Sequence, residues 1–398
     1  MPACDIAIVG GGMVGATLAL ALADLRRPDG DPLQILLLEA ASPRQAAHPG
    51  FDARAIALSH GSCELYRRWG LWASLAPHAC PITQIHVSDR GHVGRVLLTA
   101  GEYRLPWLGQ VLELEAAGQV LYQALAQRSN VQVACPARLA SATPTAEGMV
   151  LQLMDGTHWQ TQLALGTDGA ASLLRQQLRL PCEQHDYGQT AIITTLQTAT
   201  PPAGRAWERF TEQGPVALLP LSQSRYSVVW CMAHDQAQAR MALPEAAFLA
   251  QLQAVFGYRA GRFIRIGQRH AYPLAWRQVT WPIGPQALVL GNAAHLLHPV
   301  AGQGFNLGMR DIGVLQEELA RALVAGEPLG DYGVLRRYWQ RRQADQQQLG
   351  WLTGSLAQLF ASDAGPLVAG RNLLLATMNR CEGFKLALAR RALGKEEA

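Results

Sequence analysis

The chain has 398 residues, 49% of them hydrophobic and 16% charged, which excludes a disordered polypeptide and suggests at least two domains at roughly 100–200 residues each. Its 34 basic and 30 acidic residues are nearly balanced and form no basic block, so nucleic acid is not an expected partner. The 7 cysteines are odd in number, scattered and free of any C-x-x-C pair, which fits a reducing cytoplasm and gives no metal site.

Residues 5–9 read as a short buried strand, 13–25 as an Ala- and Leu-rich helix, and 35–38 as a second apolar strand. Three glycines form the turn between strand and helix, the opening of a right-handed parallel βαβ unit. The uncharged stretch 6–23 is not read as a membrane span. Asp5 precedes it, glycines interrupt it, and a span wants about 20 apolar residues. Residues 82–99 alternate around Asp89-Arg90-Gly91 as a hairpin, and 116–127 has helical periodicity. Several β-rich segments (190–196, 216–219, 227–230) surround a helix at 244–256, the pattern of a mainly antiparallel sheet inserted into the first domain. A buried strand at 286–291, a Gly-rich loop and a helix from 304 to 324 follow, and 331–398 is helical in pattern. The expected division is 1–79 with 101–180 and 271–330, then 80–100 with 181–270, then the helical region 331–398.

Three elements carry chemistry. In Gly10-x-Gly12-x-x-Gly15 the glycines supply a tight turn, room for a pyrophosphate, and close packing of helix on strand. The helix N-terminus faces the phosphates, and Glu39, ending the second strand, can accept from both hydroxyls of a ribose without a 2′-phosphate. Glu39 lies farther downstream than usual because the polar turn 26–32 lengthens the connection. The second element is Gly166-Thr167-Asp168-Gly169-Ala170, after an apolar run and before a helix containing Arg175. The third runs from Gly291-Asn292-Ala293-Ala294-His295 through His298-Pro299, Gly302-Gln303-Gly304 and Asn306 to Asp311, where a glycine-lined loop feeds a helix N-terminus able to meet negative charge.

In order and spacing these elements resemble the group A FAD-dependent aromatic monooxygenases. Within that class the chain is similar to the ubiquinone-biosynthesis hydroxylases. That likeness is carried by residues 48–58, Val87-Ser88-Asp89-Arg90-Gly91-His92, Glu208-Arg209-Phe210-Thr211, the Gly291-Asn292 pair and residues 331–335. The resemblance implies an α/β fold of the p-hydroxybenzoate hydroxylase type: a Rossmann-like FAD-binding domain, an inserted mainly antiparallel substrate domain and C-terminal helices. It assigns Gly10, Gly12, Gly15 and Glu39 to the ADP half of FAD, and Asp168 to an element that contacts FAD and is linked to NAD(P)H use. Asn292, Pro299, Gly302, Gly304 and Asn306 go to the flavin half, with Arg54 and Gln110 along the cofactor. Asn292 departs from the family, which usually has Asp there; Asn can still hydrogen-bond a ribitol hydroxyl, without the charge.

The implied reaction reduces FAD with NAD(P)H, consumes O₂ and transfers one oxygen to a polyprenylated phenol of the 2-polyprenyl-6-methoxyphenol type in ubiquinone biosynthesis. No second Gly-rich unit is visible, so NAD(P)H would bind transiently at the flavin. His298 is the candidate base, with ordering of the loop as its alternative role. Trp207, Trp230, Trp276 and Trp281 could line an isoprenoid channel or pack the core. Segment 373–393, with Arg380, Lys385, Arg390 and Arg391, could rest on a membrane surface or dock on the body. A cytoplasmic enzyme in peripheral contact with the inner face of the membrane, with other ubiquinone-synthesis proteins as partners, is the expected setting. The competing readings are a non-catalytic FAD-holding scaffold of a ubiquinone-synthesis complex and another flavin oxidoreductase.

Overall fold

The computed structural model describes residues 1–41, 54–92, 94–299 and 302–361. Its first sheet is built on strand Ala3–Val9, which pairs in parallel with Ile35–Leu38 on one side and His158–Gly166 on the other. Val131–Ala134 and Ala287–Val289 extend it in parallel at either end. Both faces of such a sheet are covered, which is why Ile35–Leu38 and Ala287–Val289 are apolar at every position and buried throughout. Helix Met13–Leu22 is buried at all but one residue, because it packs between this sheet and helix Gln303–Ala325. An antiparallel hairpin, Leu139–Thr145 and Gly148–Leu153, hangs from His158–Gly166.

The second sheet is antiparallel apart from one parallel pair. Its spine is the 17-residue strand Cys182–Thr198, flanked by Arg225–Ala233 and His270–Val279. Val216–Pro220 and Arg205–Phe210 follow, then the hairpin Gln84–Asp89 and Arg95–Thr99, joined to Arg205–Phe210 in parallel. Helices His234–Met241 and Glu245–Phe256 cover one face, burying Trp230, Phe248 and Phe256. Trp207 and Trp230 thus belong to this core, and Trp281 stacks on Tyr332.

Two differences from the expected division have clear causes. His270–Val279 lies in the second sheet, beyond the boundary placed at residue 270, because its half-exposed side chains pair along Cys182–Thr198. That long strand also starts eight residues before the expected 190. Its first part is polar and exposed and shows no alternation, and a register shift between Asp186 and Gln189 breaks the pattern where it would begin.

A small sheet of Ala55–Ser59, Gly109–Glu113 and Ala79–Ile82 lies between the two larger ones. Leu58 and Leu112 point into the first core, whereas Ile82 and Val111 pack with Ala206 and Leu221 of the second domain. Helix Tyr332–Ala361 packs along Gln303–Ala325. Segment 373–393 and residues 48–53 lie outside the described residues. Among the described residues no helix is long and apolar enough to cross a membrane.

Candidate active site

At the end of the first strand Gly10 has φ +102°, and a Cβ there would sit 2.7 Å from the backbone of Asp168, so the first turn lies directly on the second motif. The Thr167 hydroxyl donates to the Gly10 carbonyl at 2.7 Å, fixing that contact. Gly15 is equally constrained: its Cβ would fall 1.8 Å from the Gly10 carbonyl oxygen. Gly12 is different. It starts the helix without a side-chain cap, and among the described residues nothing lies within 4 Å of the position its Cβ would take. The first-turn N–H groups of Met13–Leu22 therefore face a cradle free of side chains among the described residues.

Glu39 is buried beside that cradle. One carboxylate oxygen accepts from Gly11 N at 2.7 Å and the other from Ala41 N at 2.7 Å, which holds the carboxylate at the end of the second strand. Tyr122, from helix Leu114–Ala126, donates to the Gly11 carbonyl at 2.9 Å and closes the back of the turn. Its contribution is tertiary and has no counterpart in the motif.

Asp168 uses one oxygen to cap the short helix Leu173–Gln177, accepting from Leu173 N at 2.7 Å and Leu174 N at 3.3 Å. Its other oxygen, Oδ1, is buried without a hydrogen-bond partner among the described residues. Arg175, buried in that helix, donates to the carbonyls of Ala170 and Ala293, both at 2.9 Å. One guanidinium thus clamps the second motif to the third.

The third motif turns at Gly291, φ +55°, where a Cβ would come 3.1 Å from Val14 of the first helix, and it leaves Asn292 exposed. Past the turn, Pro299 accepts from Gly302 N, and Gly302 takes φ +60° to start helix Gln303–Ala325 with no side-chain cap. Among the described residues no atom lies within 4 Å of a Cβ at Gly304, so none of them crowds the first turn of this helix. Asn306 is spent on the protein: it accepts from Ser59 N and the Ser62 hydroxyl and donates to the carbonyls of Ala57 and Gly302. The side chain thereby positions Ala55–Ser59 against the loop. Arg54 precedes that strand and lies over the Tyr272 ring at 4.9 Å, while Gln110 is buried on the strand paired with it.

Beneath the loop sits a buried ionic cluster. Asp311 meets His295 Nε2 at 2.6 Å and accepts from Arg342 Nε at 2.7 Å and Gln346 at 3.0 Å. Burial alone would raise the Asp311 pKa, but Arg342 and His295 hold it down to about 2. His298 is 1% exposed, its Nε2 lies 3.2 Å from Gln189 Oε1, and burial lowers its pKa to about 4.

These residues fit FAD. The side-chain-free cradle at Gly12 matches a pyrophosphate, the Glu39 carboxylate a ribose, and the unpartnered Asp168 oxygen and the second uncapped helix start supply polar contacts for the remainder.

Comparison with known proteins agrees. The family described as FAD binding domain matches residues 3–349. The chain is 31% identical to ubiquinone hydroxylase UbiL of Rhodospirillum rubrum, over 98% of this chain and 89% of that protein. It is 33% identical to 3-demethoxyubiquinol 3-hydroxylase of Escherichia coli, over 98% of both. Human ubiquinone biosynthesis monooxygenase COQ6 is 29% identical over 96% of this chain and 90% of its own length. Among solved structures, p-nitrophenol 4-monooxygenase PnpA from Pseudomonas putida matches with TM-score 0.81 and 16% identity over 100% of both chains. PqsL, a probable FAD-dependent monooxygenase from Pseudomonas aeruginosa, gives 0.76 and 21% over 92% of this chain and 99% of its own. The fold is that of the p-hydroxybenzoate hydroxylase-like flavoproteins.

Proposed function

Because this chain belongs to the FAD binding domain family and is an FAD-dependent hydroxylase of the ubiquinone-biosynthesis group, we propose that it places one oxygen of O₂ on the ring of a polyprenylated phenol, with NAD(P)H as reductant. The observation that carries this reading is the convergence of three motifs, distant in sequence, on one cradle: Gly10 rests on Asp168, and Arg175 ties Ala170 to Ala293. Bound FAD supplies the redox chemistry, taking electrons from the nicotinamide and activating O₂.

The chain's own residues bind and orient. Gly10, Gly12, Gly15 and Glu39 hold the ADP half; Asp168 and the Arg54–Gln110 strand pair line the middle. Asn292, Pro299, Gly302 and Gly304 hold the flavin half, where the uncapped start of Gln303–Ala325 favours the negative charge of reduced flavin. His298 is neutral above about pH 4. A phenol titrates near 10, as tyrosine does, so a base this weak does not retain the substrate proton. His298 is therefore assigned to positioning: with Gln189 it fixes the backbone entering Pro299. The setting proposed is the cytoplasmic face of a membrane that dissolves the substrate, alongside other ubiquinone-synthesis proteins.

The test is to purify the protein, record its flavin spectrum and follow NAD(P)H oxidation with a short-tailed 2-prenyl-6-methoxyphenol and, separately, a short-tailed demethoxyubiquinol. A product one oxygen heavier, labelled from ¹⁸O₂, is the expected result, and the ring that reacts identifies the step. Bound FAD with no stimulation by either compound would favour a scaffold instead.

A further inference from the structure

Beside the flavin-half loop lies a cleft of about 540 Å³ that none of the three motifs uses. Its walls come from Cys182–Thr198, His270–Val279 and Tyr332–Ala361; Tyr187, Trp276, Trp339 and Trp351 line it together with polar side chains that include Glu183, His185 and Gln278. The volume falls within the roughly 300–1,000 Å³ of small-molecule sites.

Three features mark the cleft as shaped for a ligand. Trp351 is 73% exposed, an indole left in water where it borders the cleft. Gly350 and Gly354, one turn apart on the long helix, both line it, although a helix-interior glycine costs about 1 kcal/mol relative to alanine. A Cβ at Gly350 would come 3.0 Å from Gln278 Oε1 and 3.5 Å from Trp276 Nε1, and one at Gly354 would come 3.8 Å from the Tyr187 hydroxyl. Any longer side chain at either position grows into the cleft. Finally, the Tyr187 hydroxyl is buried without a hydrogen-bond partner among the described residues, and its ring stands edge-on to His298 at 5.0 Å. The inner end of the cleft therefore touches the residue that precedes Pro299.

We infer that this cleft seats the prenyl tail of the substrate, with Tyr187 at the junction where tail gives way to phenol ring; the inference rests on the hydroxylase reading above. A phenol ring alone has no use for a second aromatic cleft outside the cofactor loop. A linear, methyl-branched, unsaturated chain does: its apolar surface leaves water onto indole faces, and the glycines clear a path along the helix. Trp351 at the rim gives the distal isoprene units an apolar surface at the point of entry.

Two phenols with the same ring, one bearing a single prenyl unit and the other four, test this by their ratio of kcat/KM. In Gly354→Leu the long-to-short ratio should fall at least tenfold, through KM of the long-tailed compound. In Trp351→Ala, at a position too exposed to matter for folding, it should fall several-fold. An unchanged ratio in both variants overturns the inference. If wild-type enzyme turns over neither phenol, the hydroxylase reading has failed, and the cleft is judged alone by tryptophan fluorescence of the holoenzyme titrated with geranylgeraniol. Saturable quenching that Gly354→Leu abolishes upholds a prenyl site; absence of saturable quenching overturns it.

Discussion

Arg342 donates from Nε to the carboxylate of Asp311 at 2.7 Å, and neither side chain is more than 1% exposed. Through this pair the C-terminal helix grips the helix that begins at the cofactor loop, and Asp311 in turn holds His295, where the loop departs. Arg342→Met should cost about 3–5 kcal/mol, because the buried Asp311 carboxylate keeps His295 and Gln346 but loses its guanidinium partner. Asp311→Asn combined with Arg342→Gln should recover more than half of that loss in denaturant melts. A double variant as unstable as the summed singles would show that the two act independently.

Gly12 and Gly15 separate binding from folding within one motif. The Cβ of Gly12→Val has no neighbour within 4 Å among the described residues, so its melt should stay within roughly 1 kcal/mol of wild type while the purified protein is colourless. Gly15→Ala collides with the Gly10 carbonyl and should lose about 3 kcal/mol or more, or fail to fold. Yellow Gly12→Val protein would move the pyrophosphate elsewhere.

Glu39→Ala leaves the N–H groups of Gly11 and Ala41 without their acceptor and removes the ribose partner. FAD affinity should fall tenfold to over a hundredfold, in line with roughly 1.5–3 kcal/mol for hydrogen bonds to a charged group. Equilibrium dialysis of the reconstituted apoprotein measures it.

His298 sets a pH window for stability. Its pKa falls from 6.5 to about 4 on folding because burial disfavours the cation. The unfolded chain therefore binds a proton first as pH drops below 6.5, and wild type should lose stability between pH 6.5 and 4. The loss is on the order of 2–3 kcal/mol. His298→Asn should lose correspondingly less over that window; parallel curves for the two proteins would show that His298 keeps an ordinary pKa.

The sequence made the cradle legible because its parts are local: glycines at fixed spacing after an apolar strand, an acid ending the next strand, and a glycine-lined turn before a helix. Arg175, Tyr122 and Arg342 escaped a reading of this kind because their partners are distant carbonyls and carboxylates. Nothing in their immediate neighbours distinguishes them from other arginines and tyrosines. The beginning of Cys182–Thr198 escaped for another reason. Glu183, Gln184, His185 and Asp186 have no buried face to impose a period of two, so pairing with 275–278 alone makes them a strand. Of these, Glu183 and His185 line the cleft, which is why the cleft was invisible while the motifs were plain.

The parallel pairing of Gln84–Asp89 with Arg205–Phe210, and the antiparallel pairing of Cys182–Thr198 with His270–Val279, set the order in which the molecule can be made. The first sheet waits for Ala287–Val289, and the second for His295–Leu296. Neither domain can finish on the ribosome while the other is still to come, and contacts of such long sequence separation close slowly. The nascent chain must therefore hold a large apolar surface in check until nearly three quarters of it has emerged.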